Sequence, residues 1–305
     1  MSTSVDEANA VTSPLPESEP ATAFKARATR LVPYEPVIKL RPASFWEAID
    51  FAELWAHRDV LYFLMWRDLK VRYKQTLLGA GWVVLQPILM TIVFAVFLGG
   101  LIKVPSDGVP YPIFAYSGLL LWIFVSNAVL SSCYSLVINA HLITRIYFSR
   151  VLIPTATVGV RLVDLIIAAA VLVLMMLYYR MPLTWSLLLL PLFVIQAAIL
   201  ALAIGILGAA LNVRYRDVGT LAPILLQVWM FVSPLVYSSS IVPEKSRFLY
   251  SLNPLVGLID GFRAALFNLP LPWTSMIISA AVTWPFLIFA IHVFRKMEVS
   301  FADDV

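Results

Sequence analysis

Charge is missing from most of this chain. Six stretches, 75–102, 108–144, 165–179, 181–213, 218–243 and 264–294, contain no Asp, Glu, Lys or Arg. A helix rises about 1.5 Å per residue, so roughly 20 apolar residues cross a hydrocarbon core about 30 Å thick. Five of the stretches reach that length alone, and 165–179 does so once the apolar residues around Arg161 and Asp164 are added. A soluble domain has no reason to bury six such helices. Cysteine is nearly absent too: Cys133 stands alone inside an apolar stretch, which excludes a disulfide framework and a cysteine metal site. No Gly-Lys pair occurs, so there is no phosphate-binding loop for ATP. No H-E-x-x-H occurs, and His57, His141 and His292 are far apart. Intramembrane carboxylates are too few for an ion-coupled carrier, and Asp217 with Asp164 is a poor set for a membrane glycosyltransferase. No catalytic constellation and no cofactor or metal site is expected on this chain.

The charge that is present sits at the ends of the spans, so the formal net charge of +4 does not mark a nucleic-acid binder. With the amino terminus in the cytoplasm, ten Lys/Arg precede the first span and seven more fall on the same side, against five on the other. The positive-inside rule then predicts cytoplasmic termini and an even number of crossings. The expected spans are 77–101, 112–136, 155–179, 186–211, 218–237 and 273–294. Residues 1–42 are rich in Ala, Ser, Glu and Pro and lack a basic segment followed by an apolar one. They read as a disordered cytoplasmic tail and not as a signal peptide, so the first span is expected to act as the insertion signal. Residues 295–305 read as a second cytoplasmic tail.

Residues 43–76 carry helical periodicity, with Phe45, Ile49, Ala52 and Ala56 on one side and Arg67, Lys70 and Lys74 on another. The segment is either a soluble helix pair or an amphipathic helix at the cytoplasmic membrane surface. Gln86-Pro87 should bend the first span, and Gly205 and Gly208 should let span four approach a neighbour closely. Asn253-Pro254 reads as N-cap and first helical residue. It opens a short amphipathic helix that lies on the outer surface or dips partway in. Arg161 and Asp164 share a helical face three residues apart, as a structural ion pair. Trp82, Phe94, Trp122, Phe124, Trp229, Phe231 and Tyr237 either face lipid or line a passage and stack against sugar rings.

The runs WRDLKVRYKQTLLGAGWVVLQPIL (66–89), VPSDGVPYPIFAYSGLLLW (104–122), NAHLITRIYFSRVLIP (139–154), LNVRYRDV (211–218), SPLVY (233–237) and LNPLVGLIDGFR (252–263) resemble, in order and spacing, ABC-2-type permeases of exporters for O-antigen, capsule or teichoic acid. The resemblance implies an all-α polytopic membrane protein with six transmembrane helices in the plasma (inner) membrane. It implies a homodimer working with two copies of a separate ABC ATPase, so that ATP and Mg belong to the partner. The substrate would be an undecaprenyl-linked glycan. By the same likeness, 139–154 is the coupling helix seated on the ATPase, with Asn139, His141, Leu142, Thr144, Arg145, Tyr147, Phe148 and Arg150 as its contacts. Residues 43–76 are the interface helix, and 253–263 contributes the short extracytoplasmic helices capping the exit. Arg67, Lys70, Arg72 and Lys74 either meet the lipid pyrophosphate or only satisfy the positive-inside rule. A drug or small-lipid ABC-2 exporter is the alternative within the same superfamily.

Overall fold

The computed structural model describes residues 57–74, 79, 81–145, 148–298 and 301, and every regular element among them is helical. The expected tail 1–42, the start of the interface region and nearly all of the final tail lie outside the described residues. In chain order, α1 is Arg58–Lys74. Helix α2 is Gly81–Ile102, with Pro87 inside it and its end, Ala95–Ile102, widened into a π-helix. Helix α3 is Tyr111–Ile138, α4 is Ala140–Arg145 and α5 is Leu152–Tyr178. A 3₁₀ turn, Trp185–Leu189, leads into α6, Leu190–Arg214. Helices α7 (Asp217–Val232), α8 (Glu244–Ser251), α9 (Pro254–Phe267) and α10 (Trp273–Glu298) complete the order.

Among the described residues, five helices are long and apolar enough to cross a membrane: α2, α3, α5, α6 with its leading turn, and α10. They fall within about one helical turn of the expected boundaries at each end. The expected span 218–237 differs. Helix α7 has 16 residues, which at 1.5 Å each rise about 24 Å, short of a hydrocarbon core about 30 Å thick. Proline explains the early stop. Ser233, ahead of Pro234, is pushed out of the helical region to φ −107°, ψ 149°, and 233–237 runs on without regular structure.

Helix α3 is the most deeply buried span and packs against α2, α5, α6, α7 and α9. Small residues set its approach to α6. A Cβ on Gly205 would stand 2.6 Å from that of Ser132, and one on Gly208 would collide with the Cys133 sulfur. Ser132 also meets Thr157 Oγ1 at 2.8 Å and donates to the Pro154 carbonyl at 3.2 Å, tying α3 to α5. Helix α2, by contrast, is barely covered, with Trp82, Leu89, Val96 and Phe97 exposed.

The helix opened by Asn253-Pro254 forms as the sequence indicates: the Asn253 side chain accepts from the Leu255 amide at 3.1 Å and Pro254 takes the first turn. It is not laid on the surface, the first of the two placements expected. All but two of its residues are buried, packed against α3, α6 and α10.

Candidate functional site

Two polar clusters stand out in the apolar bundle, and each forms where a helix is interrupted or ends. The first surrounds the break after α7. An unwound segment buried among helices presents carbonyls with no intrahelical donor, and these must be satisfied by the protein itself. Arg263 of α9, 3% exposed, satisfies them. Its Nη1 donates to the Pro234 carbonyl at 2.6 Å, and its Nη2 donates to the Leu235 and Phe114 carbonyls at 2.5 and 3.1 Å. Its Nε reaches Ser117 Oγ at 3.4 Å, and the guanidinium lies 3.6 Å from the Phe114 ring centroid. Asn253 clamps the same break from the other end of α9. Its Nδ2 donates to Ser233 Oγ at 3.0 Å, and its Oδ1 accepts from Trp229 Nε1 at 2.9 Å.

A cavity of about 350 Å³ opens beside Arg263, walled by Asp107, Ser238, Tyr250 and Asp260 among others. Ser238 and Ser240 donate to Asp107 at 2.5 and 3.2 Å. Burial pushes the Arg263 guanidinium down to about 10 and Asp260 and Asp107 push it back up, so it stays protonated at neutral pH. Burial pushes the Asp260 carboxyl up, against a hydrogen bond from Ser239 and the charge of Arg263. It also raises the Tyr250 phenol, which donates to Tyr237.

The second cluster centres on Asp164 of α5. Arg161 Nη1 lies 3.2 Å and Arg72 Nη2 3.1 Å from Asp164 Oδ2, while the Tyr73 hydroxyl donates to Oδ1. Arg161 also donates to Ser131 Oγ of α3, at 3.0 Å from Nε and 2.6 Å from Nη2. Burial, followed by the bond to Asp164, holds the Tyr73 phenol above its ordinary range. The cluster exists because α1 packs lengthwise on α5, with Met65 filling the space beside Gly159. Sequence reasoning found the Arg161–Asp164 pair from spacing alone. It missed Tyr73 and the convergence of Arg72, since nothing in the sequence gives the side of α5 on which α1 lies.

The remaining expected site residues scatter. Arg67 donates to Asp68 at 2.8 Å and to Asn139 Oδ1 at 2.7 Å, which ties α1 to the end of α3. Lys70 sits 5.1 Å over the Trp66 ring, and Lys74 is exposed. In the segment 139–154, Asn139 is buried, His141 is exposed, and Leu142 and Phe148 are half-buried. The side chains of Thr144 and Arg145, and all of Tyr147, lie outside the described residues. Arg150 turns back onto the end of α10. Its amide donates to Glu298 Oε1 at 3.1 Å, its guanidinium donates to the Glu298 carbonyl, and it lies 6.0 Å from the Phe301 ring.

Among the aromatics, Trp122 and Phe124 are core residues. Trp122 meets the half-buried Trp229 edge-on at 5.9 Å. Trp82 and Phe231 are exposed, and Phe94 and Tyr237 are half-buried. Among the described residues, no three His, Cys, Asp or Glu side chains gather as a metal site.

Long apolar helices, with charge kept to their ends and to these two clusters, mark a multi-pass membrane protein. Residues 59–267 match the family model for ABC-2 type transporters, more than half of the chain, and the protein belongs to that family. It is similar to the O-antigen export system permease protein RfbA of Myxococcus xanthus, 30% identical over 258 residues, 83% of this chain and 98% of that protein. It is also similar to the O-antigen export system permease protein RfbA of Klebsiella pneumoniae, 26% identical over 249 residues, 80% of this chain and 94% of that protein. The polysialic acid transport protein KpsM of Escherichia coli is 24% identical over 217 residues, 67% of this chain and 79% of that protein.

Proposed function

We propose that this chain is the permease subunit of an ATP-driven exporter that carries an undecaprenyl-linked polysaccharide, of O-antigen, capsule or teichoic-acid type, across the inner membrane. It crosses six times with both termini in the cytoplasm, α7 making the short crossing. Two copies form the passage, and two copies of a separate ATPase drive it, supplying ATP and Mg. Segment 139–154 seats on that ATPase. The observation that carries the reading is likeness over almost the whole length of an O-antigen export permease. The absence of a phosphate loop from the sequence supports a separate energy source, and the distribution of cations supports the orientation. Arg67, Lys70, Arg72 and Lys74 are the cations assigned in this reading to the lipid diphosphate.

The test is reconstitution. The permease alone in nanodiscs should show no ATP hydrolysis, and addition of an ABC ATPase encoded beside it should give hydrolysis stimulated by an undecaprenyl-linked glycan. Stimulation by hydrophobic drugs or short lipids instead of the glycan would move the chain to the drug and lipid exporters of the superfamily.

A further inference from the structure

Every group around the Asp164 carboxylate in the second cluster is a donor. Arg72 and Tyr73 come from α1 and Arg161 from α5, and Arg161 is itself steadied by Ser131 of α3. A cavity of about 70 Å³ beside the carboxylate adds the Gln86 amide from α2 and the Asn127 amide from α3. Two guanidiniums meet a single oxygen, Oδ2. The carboxylate offers two oxygens to this set, whereas a diphosphate offers more, in the forked geometry that guanidinium groups match best. The approach is suited to a phosphorylated lipid. Tyr62, Trp66 and Lys70 form a stripe at i, i+4 and i+8 on α1, with Tyr62 stacked on Trp66 at 6.4 Å and Lys70 over the same indole. All three are exposed, as side chains in a headgroup layer are.

We infer that the space between α1, α2, α3 and α5 is a diphosphate-binding site in which Asp164 holds the place of the anion until the ligand displaces it. Arg72 and Arg161 then grip the diphosphate, and Tyr73 passes its hydrogen bond from the carboxylate to a phosphate oxygen. The inference rests on the proposed reading of the chain as carrier of a diphosphate-linked lipid, and it names the residues that would receive the headgroup.

The test measures equilibrium binding of radiolabelled inorganic diphosphate and of farnesyl diphosphate to the permease in phosphatidylcholine nanodiscs. No ATPase or glycan is present, so the outcome is independent of whether export itself is the function. Removing the internal competitor in Asp164→Asn should tighten farnesyl diphosphate binding at least about tenfold, and adding Arg161→Gln or Arg72→Gln to that variant should weaken it by at least as much. Tighter binding of farnesyl than of inorganic diphosphate assigns the site to a lipid headgroup, and equal binding assigns it to the anion alone; both support a diphosphate site. Asp164→Asn binding no better than the wild type would overturn the inference and leave the cluster as a helix clamp. If Asp164→Asn does not give monodisperse protein, Arg161→Gln in the wild-type background carries the test. About tenfold weaker binding then supports the site, while unchanged binding, or none to the wild type, overturns it.

Discussion

Gly118→Ala adds one methyl group at the point where α3 meets the break after α7. A Cβ there would lie 2.5 Å from both Arg263 Nη2 and the Leu235 carbonyl oxygen, and neither can retreat freely. The carbonyl belongs to a segment held at both ends, and the guanidinium is fixed by Pro234, Phe114 and Ser117. Overpacking of this kind costs about 1–3 kcal/mol, and each carbonyl left without its donor costs about 1–3 more. With one carbonyl left unpaired the expected destabilisation is therefore about 2–6 kcal/mol, which at roughly 2–4 °C per kcal/mol lowers the melting temperature by about 4–24 °C. Intrinsic tryptophan fluorescence of the permease in nanodiscs, followed on heating, reads the shift. Gly100→Ala is the control, because its added Cβ would meet nothing nearer than the Ala95 carbonyl at 3.6 Å. If Gly118→Ala melts within about 2 °C of wild type while the control does the same, Arg263 does not hold the break closed and the description of this cluster is wrong.

Asn253→Ala removes the cap of α9 and the bonds to Trp229 and Ser233, and should cost about 2–3 kcal/mol in the same melt; Asn253→Asp, which keeps the acceptor and loses the donor, should fall between. Phe301→Ala empties a fully buried site against Phe294, rings 5.3 Å apart. It should release the chain end to limited proteolysis near residue 298, since a lost core phenylalanine is worth about 3–5 kcal/mol. Replacing Arg145 and Arg150 together with Glu should lower ATPase association in pull-downs while membrane insertion, read by membrane fractionation, is unchanged.

Hydrophobicity and punctuation made most of the bundle legible. Charge-free runs of membrane length located the five long helices, and Asn253-Pro254 located the start of α9, because capping chemistry is local. Ser233-Pro234 carried the signal for the break in α7. Hydropathy concealed it, since the residues after the break are as apolar as those before. Arg263 was visible as a cation interrupting an apolar helix, but its burial was not. Whether a lone charge lies at a surface or seals a break depends on which carbonyls the fold brings to it. The same holds for Trp122 and Phe124, which any pattern of aromatics leaves free to line a passage and which the packing puts in the core. The Asp164 cluster was half legible: the i, i+3 pair lies within one helix, whereas Arg72 and Tyr73 arrive through the packing of α1 on α5.

Helix α3 joins the two clusters. Near one end it supplies Phe114, Ser117 and Gly118 to the sealed break, and toward the other it supplies Ser131 to Arg161 and precedes Asn139, which receives Arg67. It is the most deeply buried of the long helices, and close packing of this kind resists displacement. One of the parts tied to it by polar contacts has little apolar cover: helix α1 has one buried residue, Leu64, among 17. Groups held by a few charge-assisted hydrogen bonds can exchange partners at small net free energy, whereas a packed helix cannot shift without opening a cavity. Movement in a working permease should therefore concentrate at α1. Hydrogen exchange faster there than in α3 and α6 would bear this out, and uniform protection along the bundle would argue against it.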